Sequence, residues 1–469
     1  MTQAELGYMP ATEMAERIRT KRLSPVEAMA GVLARIDAVD PQVNAFAHLA
    51  AEPAMAAARA AEAALMGPGP IGPLHGVPVT IKDLAITRDM PTQFGTLMLK
   101  GNQPAEDTPM VTRLQAAGAI VIGKTTTSEY GWKGVSQSPL TGITHNPWKH
   151  GYNAGASSAG AGAAAAAGFG PLHQGSDGAG SIRMPAHFCG VFGLKPSFGR
   201  IPAYPVSAGD YTSHNGPLTR NVADSALFLA VTSGPHPDDH TTLEAGPADY
   251  LARLHEGVRG KRIAYSPDLG HARVDPEVAA LVQSAAARFA ELGAVVEEVT
   301  PAWGKLGPDL IRLFWPAHLT RLVARLAEWE SRMDPGLVAC IREGAKVSIE
   351  TYQLARERKY AYVAAIQRWF ESWDLLLTPA VSVAAFPAER LNPAHWPAHP
   401  WDWVQWAEFS YPFNMSWNPA ASVPCGFTAE GLPVGLQIVG RRFDDLGVLQ
   451  AAAAFETAQP WADRRPALG

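Results

Sequence analysis

The sequence predicts an α/β fold. Short apolar segments with the composition of buried strands alternate along the chain with longer segments in which apolar residues recur at helical spacing. Hydrophobic residues make up 47% and charged residues 18% of the 469 residues, which is enough apolar material for a large core. A chain of this length is too long for one small domain, so we expect one large α/β unit or two domains that share a core.

The N-terminal segment, residues 1–66, is predicted to be helical. Ser24, followed by Pro25 and then Glu27, has the order of a helix cap, a first-turn proline and an acidic residue in the first turn. A loop rich in glycine and proline ends this segment. The remainder, residues 67–469, is predicted to form one structural unit.

Strand and helix candidates alternate after this loop. Residues 77–81 have the apolar, β-branched composition of a buried strand, which ends at Lys82. The alternation favours a sheet whose strands are connected by helices. Further strand candidates are 119–123, 262–265, 294–299, 373–377 and 436–439, and helix candidates are 110–117 and 276–292.

Composition and charge exclude several classes of protein. The net charge of −5 gives no basis for a nucleic-acid partner. The N-terminal residues lack the apolar core of a secretory signal, and no run of 18 apolar residues predicts a membrane span. Cys189, Cys340 and Cys425 are too widely spaced for a metal site, and the histidines show no paired spacing. We therefore expect a cytoplasmic protein with reduced thiols, without a metal or another cofactor, and without a nucleic-acid or membrane partner.

A segment rich in glycine, alanine and serine carries the candidate chemistry. It contains the motifs GASSAG (155–160), GSDGAGSIR (175–183) and GLKPSFGR (193–200). These motifs resemble those of the amidase signature family. Motifs similar to others of this family follow the same chain order at LHGVPVTIKD (74–83), GPLTRNVAD (216–224), SVPCG (422–426) and GLPVGLQ (431–437).

The resemblance implies a fold and a reaction class. The fold is a large mixed β-sheet core flanked by α-helices, with residues 67–469 as one catalytic unit. The reaction is hydrolysis of amide-type C–N bonds in small molecules, without a cofactor. Amides and anilides are the expected substrates, and carbamates (urethanes) and aryl esters share the same carbonyl chemistry. By analogy with the family, we expect the chain to be either a monomer or a homodimer.

The resemblance also implies a catalytic triad, in which Ser181 is the nucleophile, Ser157 the proton relay and Lys82 the base. A serine hydroxyl is too weakly acidic to attack an amide without a base, and a lysine can serve as that base when burial lowers its pKa. In the family the relay serine follows a cis peptide bond, which here would be Ala156–Ser157. The family usually has glycine at Ala156 and at Ala159.

The backbone N–H groups of Gly178, Ala179, Gly180 and Ser181 are the predicted oxyanion hole. Small residues at these positions allow consecutive N–H groups to converge on one anion. The family usually has glycine where this chain has Ala179. A positive φ at that position would cost about 1 kcal/mol with alanine.

Three further residues are predicted to support the site. Ser158 is expected to support the backbone beside the relay serine. Asp177 and Arg183 flank the nucleophile and are expected to hold its loop by hydrogen bonds. A purely structural ion pair between them is an equally open interpretation.

Aromatic residues give a prediction about the substrate pocket. The tryptophan-rich stretch 396–406, with Trp417 and Tyr130, is predicted to wall an apolar pocket for aryl or other bulky groups. Trp403, Trp406 and Tyr130 are the main candidates. Ordinary packing of aromatic side chains in the core is the alternative.

Two other functions stay open at this point. Residues 160–165 match the dinucleotide fingerprint G-x-G-x-x-A of an NAD-dependent oxidoreductase, although the strand that should precede it is missing. A partner-dependent protein, like the amidotransferase subunits of the family, is the second alternative. His187 near Ser181 suggests a Ser-His-Asp triad, but no G-x-S-x-G surrounds Ser181, so a histidine of the core or surface is preferred.

Overall fold

A computed structural model describes residues 1–209, 212–243 and 249–468. Its centre is an eleven-stranded mixed sheet with the strand order β1-β3-β2-β8-β10-β9-β14-β15-β13-β11-β12, and β4–β5 and β6–β7 form two small sheets. This confirms the predicted large mixed sheet. The strands are β1 (Phe46–Leu49), β2 (Pro78–Lys82), β3 (Ile120–Thr125), β4 (Gln137–Ser138), β5 (Gly142–Ile143), β6 (His145–Asn146), β7 (Lys149–Asn153), β8 (Leu172–Asp177), β9 (Phe192–Lys195), β10 (His214–Thr219), β11 (Arg262–Tyr265), β12 (Val295–Glu298), β13 (Leu375–Pro379), β14 (Ala420–Phe427) and β15 (Pro433–Gly440).

Helices cover both faces of this sheet. Strand side chains alternate between the two faces, so that Leu375 and Leu377 join one hydrophobic cluster and Leu376 joins another. The helices are α1 (Gln3–Gly7), α2 (Ala11–Arg19), α3 (Pro25–Val43), α4 (Ala51–Met66), α5 (Pro109–Ala116), α6 (Ala159–Ala167), α7 (Arg183–Cys189), α8 (Val222–Thr232), α9 (Pro276–Glu291), α10 (Leu306–Leu319), α11 (Val323–Trp329), α12 (Pro335–Gly344), α13 (Ile349–Trp369), α14 (Tyr411–Met415) and α15 (Asp445–Ala458).

The predicted elements lie close to those observed. The candidate strand 262–265 coincides with β11, and the candidate helix 276–292 is α9. The N-terminal segment differs, because β1 lies between α3 and α4 and pairs antiparallel with β3 in the main sheet. A strand of four residues is too short to show a period of two in the sequence. The division of the chain after residue 66 stays a prediction.

The strand β2 brings the candidate base to the site. It runs parallel to both β3 and β8. Because parallel strands end at the same edge of a sheet, the last residues of β2 and β8, Lys82 and Asp177, lie at one edge.

The helix α6 follows the two candidate serines and is buried along its whole length. Its alanines and glycines allow close packing, and the last carbonyls of the helix receive donors from distant segments. The Tyr8 hydroxyl donates to Ala166 O at 3.0 Å, and Arg35 Nε donates to Ala167 O at 3.1 Å. None of the helices in the described part of the chain has the length and apolar character needed to span a membrane.

Candidate active site

Lys82 is buried at the end of β2 and faces three serine hydroxyls. Its Nζ lies 2.7 Å from Ser157 Oγ, 2.9 Å from Ser158 Oγ and 3.0 Å from Ser176 Oγ. Burial lowers the pKa of Lys82 well below that of an exposed lysine, and the negative charge of Asp177 opposes this shift only in part. Burial therefore shifts Lys82 towards its neutral form, which can accept a proton, relative to an exposed lysine.

Ser157 connects the lysine to the candidate nucleophile. It lies in the turn before α6, and its backbone N–H donates to Ser181 Oγ at 3.3 Å. The structure has a cis peptide bond at Tyr204–Pro205 but a trans bond at the described pair Ala156–Ser157, where a cis bond was expected. A trans bond is the ordinary state of a non-proline peptide, and here it still places Ser157 Oγ next to Lys82.

Ser158 is also part of this hydrogen-bonded group. Its Oγ donates to Ser176 O at 3.0 Å and accepts from the Ser176 N–H at 3.2 Å. It thereby links the start of α6 to β8 beside Lys82. The supporting role of Ser158 stays a prediction.

The candidate nucleophile Ser181 lies in a tight loop between β8 and α7. Gly180 has a φ of +115°, and a side chain there would meet Met184 and Ser410. The N–H groups of Gly180 and Ile182 donate to the Asp177 carboxylate at 2.6 and 3.1 Å. The carboxylate therefore fixes the loop from inside.

This arrangement changes the predicted oxyanion hole. The Gly180 N–H, one of its four predicted donors, is used by Asp177 and does not face a substrate. The N–H groups of Gly178, Ala179 and Ser181 stay as predicted donors. Ala179 is absent from the described residues with positive φ, so alanine causes no backbone strain there.

Asp177 and Arg183 form a fully buried ion pair. Arg183 Nη2 lies 2.9 Å from Asp177 Oδ1, and Arg183 Nε lies 3.0 Å from Asp177 Oδ2. Burial alone would raise the pKa of Asp177, but the charge and hydrogen bonds of Arg183 outweigh it and hold this pKa well below its usual range. Arg183 also donates to Gln437 Oε1 and Asn414 Oδ1, at 2.8 and 2.6 Å. The loop of the nucleophile is thus attached to β15 and α14.

The three candidate catalytic residues border two adjoining cavities. Ser157 and Ser181 line a cavity of about 110 Å³, and Lys82 lines a second one of about 390 Å³. The walls shared by both cavities include Tyr130 and Arg321. The smaller cavity can hold a short acyl group beside Ser181.

The aromatic walls differ from the predicted ones. Tyr130 lines both cavities, as expected, and Trp132 and Trp315 line the smaller one. Trp403 and Trp406 are fully buried and are not among the described residues that line either cavity. Trp403 instead lies behind the wall, where its Nε1 donates to Trp132 O at 2.8 Å.

No sequence signal identifies Trp132 and Trp315 as wall residues. Trp315 reaches the cavity only because α10 packs against the site, and its Nε1 also donates to Trp132 O, at 2.9 Å. A tryptophan in an amphipathic helix has the same pattern when it packs into the core.

The dinucleotide-like motif and His187, which suggested other chemistry, both have structural roles. The dinucleotide-like motif lies in α6, where a Cβ atom on Gly160 would lie 2.4 Å from Thr126 N. This glycine therefore serves close packing of the helix. His187 is buried between Val383 O and the Gly435 N–H, at 3.1 and 2.9 Å, and burial lowers its pKa to about 4.

Comparisons with known proteins identify relatives of the whole chain. The family model described as Amidase matches residues 27–449. An acylamidase of Rhodococcus erythropolis is 39% identical over 100% of this chain and 99% of its own. A glutamyl-tRNA(Gln) amidotransferase subunit from Moorella thermoacetica is 35% identical over 99% of both chains. The crystal structure of a bacterial aryl acylamidase of the amidase signature family has a TM-score of 0.90 and 30% identity, with 97% of both chains covered.

Proposed function

Because this chain belongs to the amidase signature family and is an amide-hydrolysing enzyme, we propose that it acts through an acyl-enzyme on Ser181. Two contacts of Ser157, one through its hydroxyl and one through its backbone N–H, support this proposal. Lys82 Nζ lies 2.7 Å from Ser157 Oγ, and the Ser157 N–H donates to Ser181 Oγ at 3.3 Å. Nucleophile, relay and base are therefore adjacent at the floor of the cavities.

The proposed reaction has two halves. Neutral Lys82 accepts the proton of the Ser157 hydroxyl, Ser157 takes the proton of Ser181, and Ser181 Oγ forms a bond to the carbonyl carbon. The N–H groups of Gly178, Ala179 and Ser181 then stabilise the negative oxygen. The C–N bond breaks as the nitrogen takes the proton back through Ser157, and water hydrolyses the resulting ester by the same route.

The proposed substrates are amides and anilides with a short acyl group. The 110 Å³ cavity beside Ser181 has the aromatic walls Trp132 and Trp315, which suit a flat or apolar substituent. Aryl carbamates and aryl esters present the same carbonyl to Ser181. We include them in the proposal because their leaving groups depend less on protonation than the nitrogen of an amide does.

The test compares purified wild type with Ser181→Ala and Lys82→Ala on a p-nitroanilide, a primary amide and an aryl carbamate. We expect wild type to cleave at least one substrate and both variants to lose that activity. Intact-mass measurement after an acid quench should show an acyl adduct on wild type, located at Ser181, and none on Ser181→Ala. Full activity of Ser181→Ala would contradict the assignment of the nucleophile.

A second candidate function is that of a partner-dependent component of an amidotransferase. The 35% identity to the Moorella amidotransferase protein favours it, although the identity to the acylamidase is higher. Activity of the isolated chain on the three substrates separates the two functions. The cytoplasmic location and the monomeric or homodimeric state also stay predictions, which cell fractionation and light scattering test.

A further inference from the structure

Arg321 lies at the border of the two cavities. It belongs to the short 3-10 turn Thr320–Leu322, which follows α10, and it lines both the cavity of Ser181 and the cavity of Lys82. The neighbouring side chains Leu319 and Leu322 are buried and anchor this turn. Arg321 itself is exposed, so its side chain extends from this anchored turn into the open part of both cavities.

The charge of Arg321 stands out in the smaller cavity. Among the described residues that line this cavity, Arg321 is the one with a permanent charge, and none is an aspartate or a glutamate. In the larger cavity the carboxylate of Asp239 is used by the N–H groups of Ala203 and Thr241, at 2.8 and 2.9 Å. Within the described parts of the chain, Arg321 has no carboxylate at ion-pair distance.

The ring of Tyr130 orients this guanidinium. Arg321 Cζ lies 5.6 Å from the centre of the ring, at the distance of a cation–π contact. Tyr130 has a φ of +51°, its N–H donates to Phe94 O at 2.8 Å, and its ring lies 5.8 Å from that of Phe94. A guanidinium fixed on one face by an aromatic ring still presents its N–H groups at the edge, where a carboxylate can bind at two points.

We propose that Arg321 binds a carboxylate, or a similar anionic group, of the substrate. The preferred substrates are then amides that carry a negative charge away from the scissile bond. This inference rests on the proposed function, because it places the reacting carbonyl at Ser181 in the same cavity. The charge can belong to the acyl half or to the amine half, and the same contact serves both.

Two matched pairs of substrates distinguish a charge on the amine half from a charge on the acyl half. Para-acetamidobenzoate carries its charge on the amine half, and para-acetamidobenzamide is its neutral analogue. Succinanilate carries its charge on the acyl half, and succinanilamide is its neutral analogue. The measured quantity is the ratio of kcat/KM for the anion to kcat/KM for its neutral analogue.

We expect wild type to prefer the anion in at least one pair. In Arg321→Gln that ratio should fall by about 10- to 100-fold, mainly through KM, since a hydrogen bond to a charged group has this strength. Arg321→Lys keeps the charge but not the two-point contact, and it should give an intermediate ratio. Arg325→Gln, which removes the same charge four residues away and outside both cavities, should leave the ratio unchanged.

Other results would overturn the inference in distinguishable ways. If wild type hydrolyses the neutral anilides without preference for either anion, Arg321 does not bind the substrate and the proposed function stands. If Arg321→Gln lowers kcat/KM equally for the anion and for its neutral analogue, the residue only supports the structure. If wild type cleaves the p-nitroanilide but none of the four compounds, this inference fails and the proposed function stands, whereas inactivity on all of the substrates contradicts both.

Discussion

Asp177 and Arg183 meet in a two-point contact of 2.9 and 3.0 Å that is closed to solvent. Asp177 ends β8 and Arg183 begins α7, so this ion pair closes the loop that carries Ser181. The same carboxylate receives the Gly180 and Ile182 N–H groups. The pair therefore holds the loop and, with it, the position of Ser181, the proposed nucleophile.

Arg183→Met should destabilise the protein by about 3–5 kcal/mol, because it leaves the Asp177 carboxylate buried without a partner. Urea unfolding followed by circular dichroism measures this change. Arg17→Met is a matched control, since Arg17 forms an exposed pair with Glu13 at 2.7 Å. We expect the control to lose less than about 1 kcal/mol. If both variants lose the same free energy of unfolding, the buried pair is no more important for stability than the exposed one.

Lys82 should give the activity a characteristic dependence on pH. Catalysis needs the neutral amine, so kcat/KM should rise with pH as Lys82 loses its proton. Burial lowers the pKa of Lys82, so the plateau should be reached well below ~10.4, where an exposed lysine titrates. The rise of kcat/KM with pH is measured with a neutral anilide as the substrate. A profile that still rises steeply near pH ~10 would contradict it.

The same shift makes stability depend on pH. Between the low pKa of Lys82 in the folded state and ~10.4 in the unfolded state, the unfolded chain binds more protons, so stability rises with pH in this window. Lys82→Met removes this contribution and should flatten the dependence of the unfolding free energy on pH in the alkaline range below ~10.4. Denaturant unfolding of both proteins at several pH values tests this. Identical slopes would mean that Lys82 is not the buried base.

Ser157 and Ser158 are adjacent serines with different predicted roles. Both hydroxyls face Lys82 Nζ, at 2.7 and 2.9 Å, but it is the N–H of Ser157 that contacts Ser181 Oγ. Ser157→Ala should lower kcat by at least about 1,000-fold, since it removes the proton relay. Ser158→Ala should lower kcat by about 10-fold, because it removes only the hydrogen bonds that help to position Lys82 and Ser176. If the two effects are reversed, Ser158 is the relay.

Gly178 and Gly180 should respond differently to alanine. Gly180 has a φ of +115°, and a Cβ atom there would lie 2.5 Å from Met184 Cε, whereas a Cβ atom on Gly178 would have its nearest neighbour at 3.8 Å. Gly180→Ala should therefore lower the unfolding free energy by about 1–3 kcal/mol and reduce activity. Gly178→Ala should change stability by less than about 1 kcal/mol. Thermal unfolding and kcat of both variants provide the comparison, and equal tolerance at the two positions would contradict it.

The parts of the site that could be predicted from the sequence lie within short motifs. Lys82, Ser157, Ser181 and their supporting pair Asp177 and Arg183 all lie in segments whose residue types and spacing carry the chemistry. Their assembly at one sheet edge follows from the parallel pairing of β2 with β8.

The walls of the cavities could not be predicted in this way. Trp315 and Arg321 come from α10 and the turn after it, and their place at the site depends on how this helix packs on the sheet. Trp403 and Trp406 have the composition of a pocket wall, yet both are buried in the core, where Trp403 donates to Trp132 O and Trp406 donates to Leu391 O. Aromatic composition does not distinguish a lining side chain from a buried one. The strand β1 was missed because its pairing with β3 depends on distant residues.

The contacts of Arg183 with Asn414 and Gln437 have a consequence for biosynthesis. The loop of the nucleophile is translated long before the two side chains that hold its arginine. A nascent chain that ends before Asn414 contains Lys82, Ser157 and Ser181 but neither of these two partners of Arg183. We therefore expect the loop that carries Ser181 to reach its final geometry only when synthesis is nearly complete.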